Sequence, residues 1–289
     1  MTEPQPPNSF RPASSLALVD GAIPLTWWVN TPNIGDLLSP FLVERMTGLP
    51  VRLVDKRPRT SIRHRARQLL RGRRPQFSYL AIGSIVSRAD EASVVWGSGA
   101  FGTELGHLHP RADWRAVRGP LTRNMLRIQG IACPEVYGDP ALLMPLVFNP
   151  TLPKRYRVGV VRRWREKPSF TSETDGSVKV IDMGSSDVEA VLRDILSCER
   201  ILASSLHGLV LADAYGLPSA WLPSTTPKGL EFKFYDYFAS VNKLRRPQAI
   251  PFDAPILTAE MLNRLDYDDR PIEFDQQALL AACPFVEPG

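Results

Sequence analysis

The sequence predicts an α/β protein made of two halves of similar size, each with a largely parallel sheet. Short apolar segments of strand length alternate along the chain with segments of helical periodicity. The alternation stops at 144–153, a stretch with three prolines and no helical periodicity, and resumes after it. We therefore expect a flexible N-terminal segment over 1–22, a first domain over 23–148 and a second domain over 149–289.

In the first half, apolar runs predict strands at 24–29, 51–55, 79–82, 93–96 and 114–117. One helix is predicted over 36–47, where Gly48 and Pro50 end it. A second begins at Pro120 and runs to about 129, with Gly130 after its end. Strands joined by helices in this way form parallel sheets.

In the second half, strands are predicted at 156–161, 179–183, 200–203 and 219–222. Helices are predicted over 187–198, with Asp187 as the N-cap, and over 207–215. In open α/β sheets, ligands bind outside the carboxyl ends of the strands. The two halves therefore predict an enzyme whose site is a cleft.

Composition narrows the class of protein. Of the 289 residues, 44% are hydrophobic and 22% charged, which is typical of a soluble globular chain. Three cysteines at no metal-like or disulfide-like spacing indicate a reducing compartment. The apolar run at 16–19 is too short for a signal peptide, and no run approaches the ~20 residues that span a bilayer. We expect a cytoplasmic protein.

A basic run lies at 52–74, where ten Lys or Arg residues accompany a single acid, Asp55. Three interpretations stay open. The commonest for such a run is a solvated surface loop. The second is contact with anionic lipid headgroups or with the diphosphate of a lipid-linked sugar, which would make the protein peripheral at the inner face of the cytoplasmic membrane. Nucleic-acid binding is the least favoured, because neither interleaved aromatic residues nor a nucleic-acid motif accompanies the arginines.

The segment at 200–218 carries the strongest chemical signal. An apolar strand ends in Ser204 and Ser205, and His207 and Gly208 begin a helix rich in small and apolar residues. Free N–H groups at a helix start favour an anion such as phosphate, and a histidine there can exchange protons with a substrate. The structural alternative is that Ser205 is only an N-cap and His207 only packs.

Other candidates follow predicted strands. Arg118 directly precedes a Gly-Pro helix start and suits a carboxylate or phosphate, with a surface ion pair as the alternative. The remaining candidates are possible ligand contacts or turn residues: Asn33, Gly35 and Asp36 in one loop, Gly97 and Ser98 in a glycine-rich loop, Asp139 in a turn, Arg162 and Arg163 after a strand, and Lys233. An Asp-x-Asp pattern at 266–269 more often marks a solvated acidic turn than a metal site.

Taken in order, these segments resemble the polysaccharide pyruvyltransferase family. The matching motifs are NIGD at 33–36, GSG at 97–99, AVRGP at 116–120, GDPALL at 138–143 and ASSLHG at 203–208, followed by ADAYG at 212–216. Each is weak by itself, but together they cover about residues 25–240. The resemblance implies a GT-B-like fold in which two Rossmann-like domains face a cleft.

The resemblance also implies the chemistry. The pyruvyl group of phosphoenolpyruvate would be transferred to two hydroxyls of a sugar as a ketal, on an exopolysaccharide or its lipid-linked repeat unit, with release of phosphate. No cofactor or metal is implied. The family histidine falls on His207 and a donor-binding arginine on Arg118. Some relatives carry arginine where this chain has Ser205, so a phosphate contact would come from Arg162, Arg163 or Lys233.

In this scheme His207 is the general acid, or the base for the attacking hydroxyl. Ser204, Ser205 and the Gly208 N–H would bind the donor phosphate. Asn33, Gly35, Asp36, Gly97 and Ser98 would face the acceptor. Two alternatives remain: a nucleotide-sugar glycosyltransferase of the same fold, and a non-catalytic protein that binds saccharide or lipid diphosphate.

Overall fold

The computed structural model describes residues 10–29, 31–56, 75–103, 108–163, 171–172, 176–223, 231–248, 256–257 and 259–287. Most of the basic run at 52–74 lies outside these residues, and with it the predicted membrane contact. Within the described residues, no helix combines the length and apolar character needed to cross a bilayer.

The first sheet has five parallel strands in the order β2-β1-β3-β4-β5. The strands are β1 Ile23–Thr26, β2 Val51–Leu53, β3 Ser78–Leu80, β4 Ser93–Trp96 and β5 Asp113–Ala116. Helix α1, Ile34–Thr47, follows β1, a 3₁₀ turn at Val86–Arg88 follows β3, and helix α2, Pro120–Ile128, follows β5. The strand order reverses between β1 and β3, which is where such sheets open a ligand crevice.

The second sheet has four parallel strands in the order β10-β9-β6-β8. Its strands are β6 Tyr156–Arg162, β8 Val178–Asp182, β9 Cys198–Ala203 and β10 Ser219–Trp221, while β7 Thr171–Ser172 and β11 Ile256–Leu257 form a separate pair. The helices are α3 Val188–Leu196, α4 Leu206–Ala214, α5 Phe232–Ser240, α6 Ala259–Asn263 and α7 Gln276–Ala281. Here the order reverses between β6 and β9, so each sheet has one such switch point.

Local sequence explains how the helices begin and end. The Asn33 side chain caps α1 by accepting a hydrogen bond from the Gly35 N–H. Gly48 ends that helix in the left-handed region, at φ 67°, where glycine has no Cβ to clash. Pro120 is the first residue of α2, and the Asp187 carboxylate caps α3 by accepting from the Ala190 N–H.

A hydrophobic core joins elements of both halves. The C-terminal segment returns to the first sheet, where the Trp96 indole Nε1 donates to the Leu279 carbonyl at 2.8 Å. The Phe285 ring packs against the rings of Tyr79 and Trp96. Of the predicted flexible segment, residues 10–22 are described, and Ala13 N donates to the Phe285 carbonyl. The C-terminal segment, which contributes no strand to the first sheet, therefore helps to cover that sheet.

The α/β class and every predicted strand and helix are confirmed, with boundaries that differ by a few residues. The strand predicted at 93–96 has those bounds, whereas the one predicted at 24–29 is shorter, at Ile23–Thr26. The proline-rich stretch at 144–153 begins inside a 3₁₀ helix, Pro140–Leu146. That helix packs against α4, a contact that local periodicity does not reveal.

Candidate functional site

The switch points of the two sheets face each other, and this brings the first and last motifs into contact. Gly35, at the start of α1, packs directly on the imidazole of His207, at the start of α4. Ile34 N donates to the Met183 carbonyl, just after β8, at 2.8 Å. Segments that follow β1, β8 and β9 thus lie together at one edge, where ligands of α/β sheets are expected.

His207 lies opposite the buried carboxylate of Asp139. Its Nε2 is 3.6 Å from Asp139 Oδ2, and the side chains are 12% and 1% exposed. Asp139 Oδ1 accepts a hydrogen bond from Ala141 N at 3.0 Å and so caps the 3₁₀ helix. His207 Nε2 and Asp139 Oδ2 are themselves buried and make no hydrogen bond. Such orphaned buried atoms are rare and often mark a working site.

Asp36 lies on the first turn of α1, near enough to His207 for the two charges to interact. Burial raises the pKa of Asp36, and the nearby His207 charge partly offsets this rise. Asn33 Nδ2 donates to Asp36 Oδ2 at 2.6 Å, and Arg88 and Lys233 also favour the carboxylate form. The site therefore holds a histidine that faces the Asp139 carboxylate, with the Asp36 carboxylate and the cations Arg88 and Lys233 near enough to interact through their charges.

Arg118 makes more contacts with other residues of the protein than its position in the sequence suggests. The side chain is 1% exposed and pairs with Asp236, with Nη2 3.0 Å from Oδ2. Its Nε donates to Asp236 Oδ2, its Nη1 to Ser84 Oγ and its Nη2 to the Ala100 carbonyl. Three of the five N–H groups already donate to protein atoms, so at most two remain for a ligand. A donor contact by Arg118 stays a prediction.

The glycine-rich loop after β4 is a packing element. Gly97 has φ 82°, and a β-carbon there would collide with the Pro140 ring. A β-carbon on Gly99 would collide with the Arg118 guanidinium. Ser98 is fully buried and donates to the Gly83 carbonyl at 2.9 Å. The hydroxyl predicted to bind acceptor is thus occupied within the protein, and acceptor contacts by Gly97 and Ser98 stay predictions.

The serine and glycine residues around His207 also have internal roles. Ser204 Oγ accepts a hydrogen bond from Arg163 N at 3.0 Å. Ser205 occupies the N-cap position of α4, but its side chain makes no capping bond. Gly208 N donates to the Ser205 carbonyl at 3.1 Å, and a β-carbon at Gly208 would lie 2.7 Å from Val161 Cγ1. Gly208 therefore allows close packing on the sheet, and its N–H already has an acceptor.

The three cationic candidates lie at the same edge. Arg162 ends β6 and is 9% exposed, and Arg163 follows it. Lys233 is the second residue of α5, has its Nζ 5.7 Å from the ring centroid of Phe101, and acts on Asp36 through its charge. All three side chains have partners within the protein. Their contact with a donor phosphate stays a prediction.

Sequence reasoning missed Arg88, Trp28 and Asp236. Arg88 is buried in the 3₁₀ turn after β3, and its guanidinium lies 4.7 Å from the Trp28 ring centroid. Asp236 lies in α5 and accepts from Arg118 and from both N and Oγ1 of Thr122. A signal existed for Arg88 and for Asp236: a charge within the apolar run at 85–89, and an acid within the aromatic run at 232–238.

Two other acidic features are structural. Asp213, in the ADAYG motif, is buried with Lys243 and Arg245 and accepts from the Tyr237 hydroxyl at 2.8 Å. Asp268, in the acidic turn, pairs with Arg270 at 2.7 Å. Over the part of the chain that the structure describes, no group of three His, Cys, Asp or Glu side chains is placed to hold a metal ion.

The geometry defines a class of protein before any relative is considered. A protonatable imidazole that faces a buried carboxylate lies at the start of a helix, with a second carboxylate and cations nearby and two α/β sheets around it. Such a site suits proton transfer to an anionic, phosphate-bearing substrate. Two α/β halves around such a cluster of side chains are typical of a group-transfer enzyme.

The family model described as Polysaccharide pyruvyl transferase matches residues 65–225. This is more than half of the chain, so the protein belongs to that family and is a polysaccharide pyruvyltransferase enzyme. The matched region contains the GSG loop, Arg118, Asp139 and His207, while Asp36 and Lys233 lie outside it. Family membership confirms the resemblance seen in the sequence.

Two relatives illustrate the range of similarity. Uncharacterized protein L143 of Acanthamoeba polyphaga mimivirus is 27% identical over 233 residues, which are 77% of this chain and 75% of that protein. Succinoglycan biosynthesis protein ExoV of Rhizobium meliloti is 29% identical over 190 residues, 61% of this chain. The chain spans 58% of the length of ExoV. No solved structure matches.

Proposed function

We propose that this enzyme transfers the pyruvyl group of phosphoenolpyruvate to two hydroxyls of one sugar residue, forming a pyruvate ketal and releasing phosphate. The observation that carries the proposal is the placement of His207 at the facing switch points. Its Nε2 faces Asp139, its Nδ1 lies beside Gly35, and its charge acts on the Asp36 carboxylate. A relative named for succinoglycan biosynthesis supports an exopolysaccharide, or its lipid-linked repeat unit, as the acceptor.

The reaction balances without an oxidant or a reductant. A proton adds to the methylene carbon of phosphoenolpyruvate, and one sugar hydroxyl adds to C2 and loses its proton. A second hydroxyl then forms the other C–O bond as the C2–O bond to phosphate breaks. One of the two hydroxyl protons restores the proton that the general acid delivered to the methyl group. The other hydroxyl proton leaves with the phosphate. The protein has only to move protons, hold anions and exclude water.

His207 is assigned to proton transfer, as the acid toward the methylene carbon or the base toward the attacking hydroxyl. Donor phosphate contacts are assigned to Ser204, Ser205 and the first turn of α4, with Arg162, Arg163 and Lys233 adding positive charge. Arg118 would act on the donor through its remaining N–H groups and its buried charge. Asn33, Gly35, Asp36, Gly97 and Ser98 form the proposed acceptor side.

Two architectural proposals accompany this assignment. We assign the acceptor to the domain at 23–148 and the donor to the domain at 149–289, as in a GT-B-like pair of domains around a cleft. The scheme itself uses no cofactor. A lipid-linked acceptor would bring the basic run at 52–74 to the inner face of the cytoplasmic membrane, where each Lys or Arg near an anionic surface contributes about 1 kcal/mol.

The first experiment is thermal unfolding of the purified protein with phosphoenolpyruvate and, separately, with a panel of nucleotide sugars. A ligand at ~100 times its dissociation constant stabilises a protein by about 2.7 kcal/mol. We expect phosphoenolpyruvate to stabilise the protein and the nucleotide sugars to leave its stability unchanged. Stabilisation only by a nucleotide sugar would instead support a glycosyltransferase and remove the role given to His207.

Activity is then measured as phosphate release that accompanies a new ketal methyl signal in the NMR spectrum of a sugar acceptor. We expect His207→Ala to lower the rate by about 10²–10⁴-fold, as for loss of a general acid or base. His109→Ala is the matched control, because His109 faces Glu91 at 3.6 Å, away from this site. Near-normal turnover by His207→Ala would contradict the assignment.

A further inference from the structure

We infer that Asp139 is the positioning residue of the histidine: its buried carboxylate fixes the His207 tautomer so that Nδ1 is the nitrogen that exchanges protons with the substrate. This inference rests on the proposed function of His207. The pair joins two motifs that are far apart in sequence, GDPALL and ASSLHG, at the contact between the 3₁₀ helix and α4.

The two atoms that face each other are Asp139 Oδ2 and His207 Nε2. Asp139 Oδ1 is held by the Ala141 N–H, so the carboxylate cannot rotate freely, and Oδ2 remains directed at His207 Nε2. Both facing atoms are buried and without a hydrogen bond. At 3.6 Å the separation is slightly longer than an N–H···O bond, and such contacts tighten in the reacting complex.

The Asp139 carboxylate determines which nitrogen of the His207 imidazole carries hydrogen. A carboxylate can only accept a hydrogen bond, so Nε2 must carry hydrogen when it bonds to Asp139. The neutral imidazole then has its lone pair on Nδ1. A buried charge also favours the imidazolium that forms during proton transfer, without taking up the proton itself. Asp36, the other carboxylate that acts on His207, lies on α1.

Gly35 provides the space that the His207 imidazole occupies. Nδ1 lies where the β-carbon of any residue larger than glycine at position 35 would be. Gly35 thus leaves room for the imidazole edge opposite Asp139 and places Nδ1 next to the proposed acceptor residues. The arrangement explains why a helix start that could hold almost any residue carries glycine.

The test is Asp139→Asn, in which the amide oxygen can still cap Ala141 while an N–H₂ group faces Nε2. That group favours the opposite tautomer, with hydrogen on Nδ1. We expect kcat to fall by about 10²-fold or more, since a wrong-tautomer dyad in a serine protease loses about 10⁴-fold. The KM for phosphoenolpyruvate should not change, because the lost interaction acts in the transition state.

The second readout does not depend on activity. In protein labelled with [¹⁵N]histidine, the imidazole shifts of His207, assigned by their loss in His207→Gln, should show hydrogen on Nε2 in the neutral wild type. In Asp139→Asn the hydrogen should move to Nδ1. Asp187→Asn is the matched control, because Asp187 also caps a helix through Oδ1 and lies outside the site. It should leave both the rate and the tautomer unchanged.

The outcomes separate the two proposals. If wild type shows no ketal formation but keeps hydrogen on Nε2, the proposed function fails and the pairing stands. Hydrogen on Nδ1 in wild type, or an unchanged rate in folded Asp139→Asn, would overturn the inference. If that variant does not fold, Gly35→Ala tests the same geometry, since its methyl group displaces Nδ1 without touching Asp139. Normal turnover by folded Gly35→Ala would overturn the inference as well.

Discussion

The buried carboxylates of Asp236 and Asp139 each face a basic side chain, and these two pairs differ in how completely they are bonded. Asp236 accepts from Arg118 and from both polar atoms of Thr122, and Arg118 has further acceptors in Ser84 and Ala100. Asp139 faces His207 with one oxygen that no donor reaches. A saturated buried pair holds elements together, whereas an unsaturated one is free to take part in chemistry.

The positions of the pairs explain the difference. Arg118 and Asp236 join α5 to the end of β5 and the start of α2, where a β-carbon on Gly119 would collide with the Asp236 carbonyl. His207 and Asp139 lie where loops from both sheets converge. The first pair fixes the walls of the site, and the second lies within it.

The largest expected effect comes from breaking the saturated pair. We expect Arg118→Met to destabilise the protein by about 3–5 kcal/mol, because it leaves Asp236 buried without its counter-charge. Urea unfolding monitored by circular dichroism measures this loss. Arg115→Met is the control, because Arg115 pairs with Asp113 at the surface, where such bridges contribute about 0–1 kcal/mol.

The same measurement decides between two roles of Arg118. Arg118→Met/Asp236→Leu should recover much of the stability lost by the single variant, since replacing both partners removes the uncompensated charge. If Arg118→Met instead keeps native stability but loses stabilisation by phosphoenolpyruvate, Arg118 acts on the ligand. Arg118 and Asp236 would then not be a structural pair, and their contrast with His207 and Asp139 would be wrong.

A smaller effect is expected at Asp36, where function and stability should oppose each other. Burial raises the pKa of Asp36 above its ordinary value of 3.8, so the folded protein holds that proton more tightly than the unfolded chain. The stability linked to this proton is complete below the unfolded value and is lost as pH rises through the folded value. At neutral pH the ionised carboxylate therefore opposes folding.

We expect Asp36→Asn to raise the melting temperature at pH 7 while it lowers transferase activity. The gain should shrink as pH falls through the folded-state pKa of Asp36. The control with opposite sign is Asp268→Asn. Burial acts to raise the pKa of Asp268, but hydrogen bonds from Arg270 and the charges of Lys243 and Arg245 outweigh it and lower the pKa. A lower melting temperature for Asp36→Asn at pH 7 would contradict this account.

The smallest effect concerns the three buried thiols, to which no chemical role is assigned. Burial raises the pKa of Cys133, Cys198 and Cys283 to about 11 in each case. Since the thiolate is the reactive form, we expect a thiol-specific reagent at pH 8 to label none of them in the folded protein and all three in denaturant. Rapid labelling of any one without denaturant would show a reactive thiol.

The sequence predicted more of the fold than of the site. Strand and helix positions were correct because periodicity and caps are local: Asp187 caps α3, and Gly48 ends α1, through residues at most a few positions away. The structure also brings three motif residues, Gly35, Asp139 and His207, together. The individual contacts of the motif residues were not predictable, because Arg118 looks equally suited to a ligand and to a buried partner.

By itself, the sequence determined the α/β class, the order of the elements, the family and the identity of the imidazole at the helix start. Only the tertiary structure decided which acid each base faces. Asp236 lies 118 residues from Arg118, and no local pattern records that distance. Burial then decides the role of each pair, because a low-dielectric interior makes every unmet hydrogen bond costly and retains one only where the surrounding fold enforces it.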